Sequence, residues 1–558
     1  MKKFLRENVS KLPLISRYMA MKSRLESYKV VSKTLETELA AREAELKALK
    51  AKLDDIPPIF VKTSGRLTSI DEHPWKHPFL ADSNIKRFRQ YSEQVWDYAV
   101  DYQKKHPEPI KCAFVVNMAQ NMHKWARLAQ EYGAEVALFL NPMDKCAISC
   151  PEWEEFDGEH SDIFDVDGFL RNNPNIRLEV PVYRIPMNGD GFILAWEQFY
   201  KGERRPLLEL ISKAPGMRHE ALVSHIGFYP YYQWAKALTE FDVLYATSLP
   251  LAAYASGVPY CTSPVGGDLI YDCGRGDDYG RVMSLSFNAS RFMTFSCNAQ
   301  NMGHARRLGF TNGLFLSYPM DSNRYYPGEG RSRELWESRY GKGVYVLMTS
   351  RLDKQIKGQD ESFLNSLIKV SNSNPNLYFI FLNWGESAAE FQNAIDDAGM
   401  NHRFIVLSPV GKKRLIDYYR SCDIILDQLV LGYYGATALE AAAVGKPIVM
   451  YLRDEHYRAA YNGDVMPVMN VRTPSEVGQA ILALAASKEL RERKGSEMRN
   501  WLMRTHGEEK SVPLMLSLLR LTADRISLPD ELLKMNPLLD PINEEEIAYH
   551  NSCLCEGE

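Results

Sequence analysis

Two series of short apolar runs, each run separated from the next by a helical pattern, constrain the fold of this chain more than any other feature. The first series includes CAFVVNM (112–118), AEVALFL (134–140), FDVLYATS (241–248) and VPYCTSPVGGDL (258–269). The second series includes VYVLMTS (344–350), LYFIFLNW (377–384), RFIVLS (403–408), DIILDQ (423–428) and PIVMYL (447–452). Strands that alternate with helices pair in parallel, because each connection crosses from one end of the sheet to the other. The pattern predicts an α/β fold with two tandem Rossmann-like domains.

The same pattern divides the chain into four segments. Residues 56–335 are expected to form the first domain and residues 336–527 the second, and the glycine-bearing motifs PGEG and GKG mark the linker between them. Residues 528–558 form an acidic, proline-punctuated tail, which we expect to carry no chemistry. Residues 1–55 precede both domains.

A heptad pattern runs through the N-terminal segment from Tyr18 to Leu53. All but two of its a and d positions are apolar or aromatic, and the residues between them are rich in Glu, Lys, Arg and Ala. Such a long helix cannot bury its apolar stripe alone, so it either dimerises as a coiled coil or lies along the protein body. The sequence Pro57-Pro58 then ends it. We expect a homo-oligomer formed through the coiled coil.

Residues 1–24 are basic, with one Glu against seven Lys and Arg interleaved with apolar residues. This combination suits peripheral contact with an anionic membrane surface, and it equally suits a solvated helix start.

Composition excludes several classes of protein. The 558 residues include 67 Lys and Arg against 71 Asp and Glu, a net charge of -4, so no general basic field gathers nucleic acid. No stretch approaches the roughly 18 apolar residues of a membrane span, and no secretory leader is recognisable. We expect a cytoplasmic protein, and its nine scattered cysteines are expected to be free thiols and not metal ligands.

The expected ligand site lies where the carboxyl ends of the strands of both domains meet. Neither first strand is followed by GxGxxG, and GxxxxGK(S/T) does not occur in the sequence. The sequence therefore argues against a nicotinamide dinucleotide and against a P-loop nucleotide.

A cationic loop follows the first strand of the second domain. Arg351 and Lys357 are placed at the sheet edge, where a guanidinium fork and an ammonium can neutralise a diphosphate. Lys354 is a third candidate. The alternative is a solvated loop without a ligand.

A glycine-bearing loop leads from Asp427 into a predicted helix. Backbone N–H groups around Tyr434, Gly435, Ala436 and Thr437 would form an anion site at the helix N-terminus. Further along this helix, Glu440 sits among small residues, where a buried carboxylate needs a partner. A ribose diol would supply that partner, and an internal Lys or Arg is the alternative.

These motifs resemble those of the GT-B fold glycosyltransferases, most closely glycosyltransferase family 4. The family's GR…KG element is similar to Ser350-Arg351 through Lys357-Gly358, and its EGFG…EAMA.GKPV element is similar to the stretch from Gly432 to Val449. Its GSDL loop resembles Gly266-Gly267-Asp268-Leu269, and its GVD…F.P pattern resembles Asp321, Tyr325 and Pro327. The resemblance covers roughly residues 110–520.

The resemblance implies a retaining transfer of a hexose from a nucleotide diphosphate sugar to a glycan or lipid-linked acceptor, without a catalytic metal or cofactor. It implies that Arg351, Lys357 and the loop at 434–437 stabilise the leaving diphosphate, that Glu440 holds the ribose and that Asp268 lines the acceptor side. His225 is an acceptor-side base, a donor contact or a packed core histidine.

One departure concerns the paired glutamates of the family, which are eight positions apart. The position eight before Glu440 is Gly432, so the glutamate that lies by the donor sugar in the family is missing. Asp427 or Gln428 at the preceding strand end is expected to approach that space, unless backbone amides alone hold the sugar.

Three functions remain open from the sequence. The first is a glycosyltransferase of surface polysaccharide or glycoconjugate synthesis at the inner face of the membrane. The second is a GT-B-fold sugar-nucleotide epimerase that needs no acceptor. The third is a non-catalytic coiled-coil scaffold with a vestigial donor site, which Gly432 favours.

Overall fold

The computed structural model describes residues 77–140, 146–184, 232–248, 250–274, 278–296, 299–355 and 357–555. The heptad segment, the basic segment and His225 lie outside the described residues, so the expectations about them stay predictions.

The first sheet has seven strands, all paired in parallel. Its strands β1 to β7 are Lys111–Val115, Glu135–Phe139, Val182–Tyr183, Val243–Thr247, Tyr260–Ser263, Met293–Phe295 and Gly313–Phe315. Their spatial order is β3-β2-β1-β4-β5-β6-β7, which reverses direction between β1 and β4. This is the doubly wound order that the first series of apolar runs predicts.

The helices of this part of the chain cover both faces of the sheet. Helices α1 to α8 are Asp82–Lys105, Asn121–Glu131, Glu152–Glu155, Val166–Asn172, Tyr232–Leu238, Leu251–Ser256, Asp278–Asn288 and Ala299–Arg307. A π-helical turn, Asp268–Asp272, follows β5.

The second sheet has six strands, again all parallel. Strands β8 to β13 are Val344–Met348, Leu377–Leu382, Phe404–Leu407, Ile424–Leu426, Ile448–Met450 and Met469–Asn470, in the order β10-β9-β8-β11-β12-β13. Helices α9 to α16 are Ser332–Tyr340, Glu361–Ser373, Ala388–Asp397, Lys412–Ser421, Ala436–Ala443, Asp454–Ala460, Pro474–Ala486 and Lys488–His506. The two Rossmann-like domains expected from the sequence are confirmed.

The strands read as continuous apolar runs because both faces of each sheet are buried. Cys112, Ala113, Phe114 and Val115 of β1 are all fully buried, although their side chains alternate between the two faces. The same holds for Ile424–Leu426 in the second sheet.

The C-terminal part of the chain returns to the first domain. Helices α17 to α19 are Glu508–Ala523, Asp530–Leu533 and Glu544–Cys555. Helix α17 packs against α1, α2, β4 and β5, and Thr522 Oγ1 lies 3.2 Å from Sγ of Cys261. The sequence places residues up to 527 in the second domain, but the apolar face of α17 is buried against the first.

Among the helices of the described residues, none is long and apolar enough to cross a membrane.

Candidate functional site

The loops that follow β8 and β11 meet at the carboxyl edge of the second sheet, where the strand order reverses. Nζ of Lys357 donates a hydrogen bond to Oε1 of Gln428 at 3.0 Å. The N–H of Leu429 donates to the carbonyl oxygen of Lys357, also at 3.0 Å. The fold therefore brings the cationic loop and the strand end at Asp427 together at the point where doubly wound sheets bind ligands.

Lys357 and Asp427 each shift the pKa of the other towards its charged form. Burial lowers the pKa of Lys357, and the carboxylate of Asp427 opposes that shift. Burial also raises the pKa of Asp427, and the ammonium of Lys357 opposes it. An anion bound beside Lys357 would favour its charged form.

Arg351 lies near Lys357 and stays accessible, with 43% of its side chain exposed. Its Nη2 is 3.5 Å from Oδ2 of Asp353, and its charge contributes to the lowered pKa of Lys357. Lys354, the third candidate, instead reaches Glu390, with Nζ 2.8 Å from Oε2. The structure thus keeps Arg351 and Lys357 as a pair and separates Lys354 from them.

Helix α13 points its N-terminus into this site. Gly435 is the N-cap and is exposed, and a Cβ atom placed there would meet no other atom within 4 Å. Oγ1 of Thr437 lies 3.5 Å from Oγ1 of Thr349 at the end of β8. The backbone around Gly435, Ala436 and Thr437 is therefore open to an anion from the cleft.

The side chain of Tyr434 is packed away from this anion site. Its ring is buried against Trp501, and its hydroxyl is 2.6 Å from that of Tyr461 and 3.0 Å from Nε2 of His506. The predicted role of residue 434 is through its backbone N–H group, and it stays a prediction. Tyr434 anchors the glycine loop to α14 and α16 instead.

Glu440 is buried with an internal partner. Its side chain is 2% exposed, and its Oε1 accepts a hydrogen bond from Nζ of Lys412 at 2.5 Å. Tyr419 donates its hydroxyl to Oε2 at 3.1 Å. The hydroxyl of Tyr325 lies between two carboxylates, 3.5 Å from Oε1 of Glu440 and 3.4 Å from Oε1 of Glu154. The internal lysine that the sequence left open is thus present, and the run Lys412-Lys413-Arg414 was the signal for it.

Gly432 stands where the family has its first glutamate, and the backbone at this position requires glycine. Gly432 has φ of +73°, and a Cβ atom there would lie 2.6 Å from Cγ of Arg453 and 3.1 Å from Cε1 of Tyr451. Glycine adopts this left-handed conformation without strain. The arginine stem therefore fills the space beside the loop where a side chain would begin.

Asp268, which is predicted to line the acceptor side of the cleft, is buried within its own loop. It is 4% exposed, and its carboxylate accepts hydrogen bonds from the N–H groups of Val265, Gly266 and Leu269 at 2.9–3.1 Å. Burial raises its pKa to about 7. Its carboxylate braces its own loop, on which Tyr271 is 57% exposed.

A buried charged cluster joins the two domains beside Glu440, and the sequence analysis did not find it. Nζ of Lys124 lies over the rings of Tyr318 and Tyr325, 5.0 and 5.3 Å from their centroids. Burial lowers the pKa of Lys124, and the carboxylates of Glu440 and Glu154 oppose that shift. The first domain thus places a cation next to the second domain's buried carboxylate.

The segment from Phe156 to His160 of the first domain docks on the loop before α12. The N–H of Gly411 donates to the carbonyl oxygen of Gly158 at 3.0 Å, and that of His160 donates to Pro409 at 2.9 Å. Nε of Arg414 lies 2.8 Å from Oδ1 of Asp157. This docking fixes the two domains to each other next to Lys412.

The loop after β1 contains three residues in the left-handed backbone conformation. Val116, Ala119 and Gln120 have φ of 67°, 48° and 70°, which costs free energy in residues other than glycine. The side chain of Gln120 holds the loop by donating to the carbonyl oxygens of Ile148 and Cys150.

No group of three or more His, Cys, Asp or Glu side chains among the described residues is arranged to hold a metal ion.

The second domain matches a known family. Residues 335–501 match the family model of Glycosyl transferases group 1. The matched range includes the cationic loop, the glycine loop and Glu440. No curated protein matches the sequence significantly.

Solved structures match the fold of both domains. Anabaena HepE in complex with UDP and glucose has a TM-score of 0.51 at 13% identity, with 74% of this chain and 99% of that chain covered. HepE in complex with UDP-glucose has a TM-score of 0.50 at 14% identity, covering 75% and 99%. Sucrose-phosphate synthase from Thermosynechococcus elongatus has a TM-score of 0.48 at 12% identity, covering 75% and 100%. The likeness to HepE shows that the chain has the GT-B fold.

Proposed function

We propose that this protein is a glycosyltransferase that moves a hexose from a nucleotide diphosphate sugar to a glycan or lipid-linked acceptor. The observation that carries the proposal is the arrangement of Arg351, Lys357 and the open N-terminus of α13 around the strand reversal of the second sheet. These groups lie inside the range that matches Glycosyl transferases group 1. HepE, which has the same fold, is a UDP complex in its solved structure.

In this mechanism the bond between the anomeric carbon and the diphosphate breaks, and a bond to an acceptor hydroxyl oxygen forms. The proton of that hydroxyl passes to a phosphate oxygen of the leaving diphosphate. Negative charge accumulates on the leaving diphosphate, so stabilisation of that charge is the largest catalytic contribution. Arg351 and Lys357 supply positive charge, and the N–H groups at Ala436 and Thr437 supply hydrogen bonds. We propose that these groups take the place of a catalytic metal.

Glu440 is proposed to hold the ribose of the donor. A carboxylate offers about four acceptor positions. Lys412, Tyr419 and the hydroxyl hydrogen that Tyr325 shares between Glu440 and Glu154 take at most three of them, which leaves at least one open. The longest of these contacts to Glu440 is that of the Tyr325 hydroxyl, and Tyr325 belongs to the first domain. In our proposal, movement of Tyr325 away from Glu440 gives a ribose hydroxyl access to the carboxylate.

The finer parts of the proposal rest on the sequence. The resemblance to family 4 implies retention of the anomeric configuration and a role in surface polysaccharide or glycoconjugate synthesis. The heptads of residues 18–53 support a homo-oligomer, and the cations of residues 1–24 support contact with the inner face of the membrane.

The test is a turnover assay of the full chain with a panel of nucleotide sugars and of extracted glycan and lipid-linked acceptors. We expect release of nucleoside diphosphate that depends on the acceptor and persists in EDTA. Loss of activity in EDTA that Mg²⁺ or Mn²⁺ restores would refute the metal-free mechanism. Epimerised donor formed without an acceptor would assign an epimerase.

Gly432 is the observation that favours the non-catalytic scaffold, because it removes a carboxylate from the sugar side of the site. Donor binding without turnover across the panel would support the scaffold and contradict the transferase.

A further inference from the structure

A cavity of about 130 Å³ lies where the chain crosses between the domains. One wall comes from α1, and the others come from the end of α14, the end of α16 and the start of α17. Its polar lining includes Arg89, Tyr461, Asp464, Arg504, Lys510 and Ser511. By the same measure one water needs roughly 10–15 Å³, so a small polyatomic ion fits.

The charge of the lining favours an anion. Arg89, Arg504 and Lys510 are three cations against one carboxylate, Asp464. Arg504 already binds Asp464 with two nitrogens, at 2.9–3.3 Å. Lys510 is exposed, and its ammonium has neither a hydrogen bond nor an ion pair within the described chain, so it is available to an anion.

Arg89 is held in place with one nitrogen to spare. Its Nε donates to Glu93 at 2.8 Å, and its Nη1 donates to the carbonyl oxygen of Ala460. Its side chain is only 14% exposed, and Nη2 has no protein partner in the part of the chain that the structure describes. A fixed guanidinium with a free N–H is suited to an oxyanion.

The hydroxyl of Ser511 is an independent indication of a ligand. Ser511 is 1% exposed and lines the cavity, and its Oγ has no hydrogen-bond partner among the described residues. A buried hydroxyl without a partner costs free energy. A bound oxyanion would accept a hydrogen bond from this hydroxyl.

We infer that this cavity binds a phosphate-class oxyanion between Arg89, Lys510 and Ser511. Such an ion would link α1 of the first domain to the segment that follows the second. It would also lie next to Tyr461, whose hydroxyl is 2.6 Å from that of Tyr434 on the glycine loop. The site is separate from the donor loops and does not depend on the proposed function.

The test is calorimetric titration of the full chain with inorganic phosphate at constant ionic strength. The protein carries Arg351→Ala, so that phosphate bound at the donor loop contributes little. We expect saturable binding of one phosphate. Lys510→Gln should weaken it about tenfold, because a charge-assisted contact is lost, and Ser511→Ala should weaken it by a smaller factor.

Lys534→Gln is the matched control, because Lys534 is an exposed lysine of the same C-terminal return and does not line the cavity. It should leave phosphate affinity unchanged. Competition with a sugar phosphate identifies the source of the ion: displacement at lower concentration supports a phosphomonoester, and poor displacement supports the free ion. Absence of phosphate binding, or equal affinity in all variants, would overturn the inference.

Discussion

Nζ of Lys412 lies 2.5 Å from Oε1 of Glu440, and both side chains are buried, 11% and 2% exposed. A buried carboxylate that loses its cation keeps the full desolvation cost. Lys412→Met is therefore expected to lower the free energy of unfolding by about 3–5 kcal/mol. Urea-induced unfolding of the second domain measures the change.

The exposed pair Lys354 and Glu390 is the control for this prediction. Lys354→Met should change stability by less than about 1 kcal/mol, because exposed ion pairs contribute little. The double variant Lys412→Met with Glu440→Leu should recover most of the loss. An unchanged stability of Lys412→Met would mean that Glu440 is not held by this lysine.

Ribose binding by Glu440 has a separate signature. Glu440→Gln keeps the shape of the side chain but weakens hydrogen bonds to a ribose hydroxyl. It should lower affinity for nucleoside diphosphates and leave affinity for inorganic pyrophosphate nearly unchanged. Calorimetric titration with both ligands makes the comparison, and equal losses would assign Glu440 a purely structural role.

The diphosphate contact can be tested within one loop. Arg351→Ala or Lys357→Ala removes a charge-assisted contact worth about 1.5–3 kcal/mol, so donor affinity should fall roughly ten- to a hundredfold. Lys354→Ala, only three residues from both, should have no effect, because its amine is directed to Glu390. The assignment fails if the three variants bind nucleoside diphosphate equally well.

The stability of the second domain should depend on pH through His506. Burial lowers the pKa of His506 to about 4, whereas an unfolded histidine titrates near 6.5. The neutral ring therefore stabilises the fold above pH 6.5, and this contribution is lost as the pH falls towards 4. Thermal unfolding of His506→Gln should depend less on pH in this window than that of the unchanged protein.

The control is His402→Gln, in an exposed turn before β10. His123, whose pKa burial lowers to about 3, is present in both proteins and cancels in the comparison. Parallel melting curves for His506→Gln and the unchanged protein from pH 6.5 to 4 would contradict the prediction.

Deletion of residues 1–55 tests their predicted role in assembly and location. The truncated chain should form a smaller oligomer and lose salt-sensitive binding to anionic liposomes, while donor affinity stays the same. Light scattering and liposome flotation measure the first two properties. Lost donor affinity would show that the N-terminal segment packs on the catalytic body.

The strands were predictable because both sheets are buried on both faces. Each apolar run in the two series overlaps a strand, as VYVLMTS (344–350) overlaps Val344–Met348. The two series leave out four strands of two or three residues, Val182–Tyr183, Gly313–Phe315, Met469–Asn470 and Met293–Phe295. The last of them, β6, pairs with strands on both sides. Its place in the sheet depends on pairing with β5 and β7, which the local sequence does not encode.

The site residues could be predicted only where they belong to one short sequence motif. Arg351 and Lys357 belong to a single loop, and the sheet topology places that loop correctly. The contact between Lys412 and Glu440 joins two helices 28 residues apart, and Lys124 comes from the other domain. The Tyr434 side chain is buried because its hydroxyl contacts Tyr461 and His506, and only tertiary packing brings these residues together.

The return of α17 to the first sheet has a consequence for synthesis. Val512, Met515 and Leu519 bury their side chains on the first domain, whose strands run from Lys111 to Phe315. The ribosome therefore makes these strands about 200 to 400 residues before it makes α17. The nascent first domain therefore exposes that apolar face while the whole second sheet is translated. All strands of the second domain are made before the helix that covers the first domain. A chaperone that shields apolar surface has this face to hold until the last helices emerge.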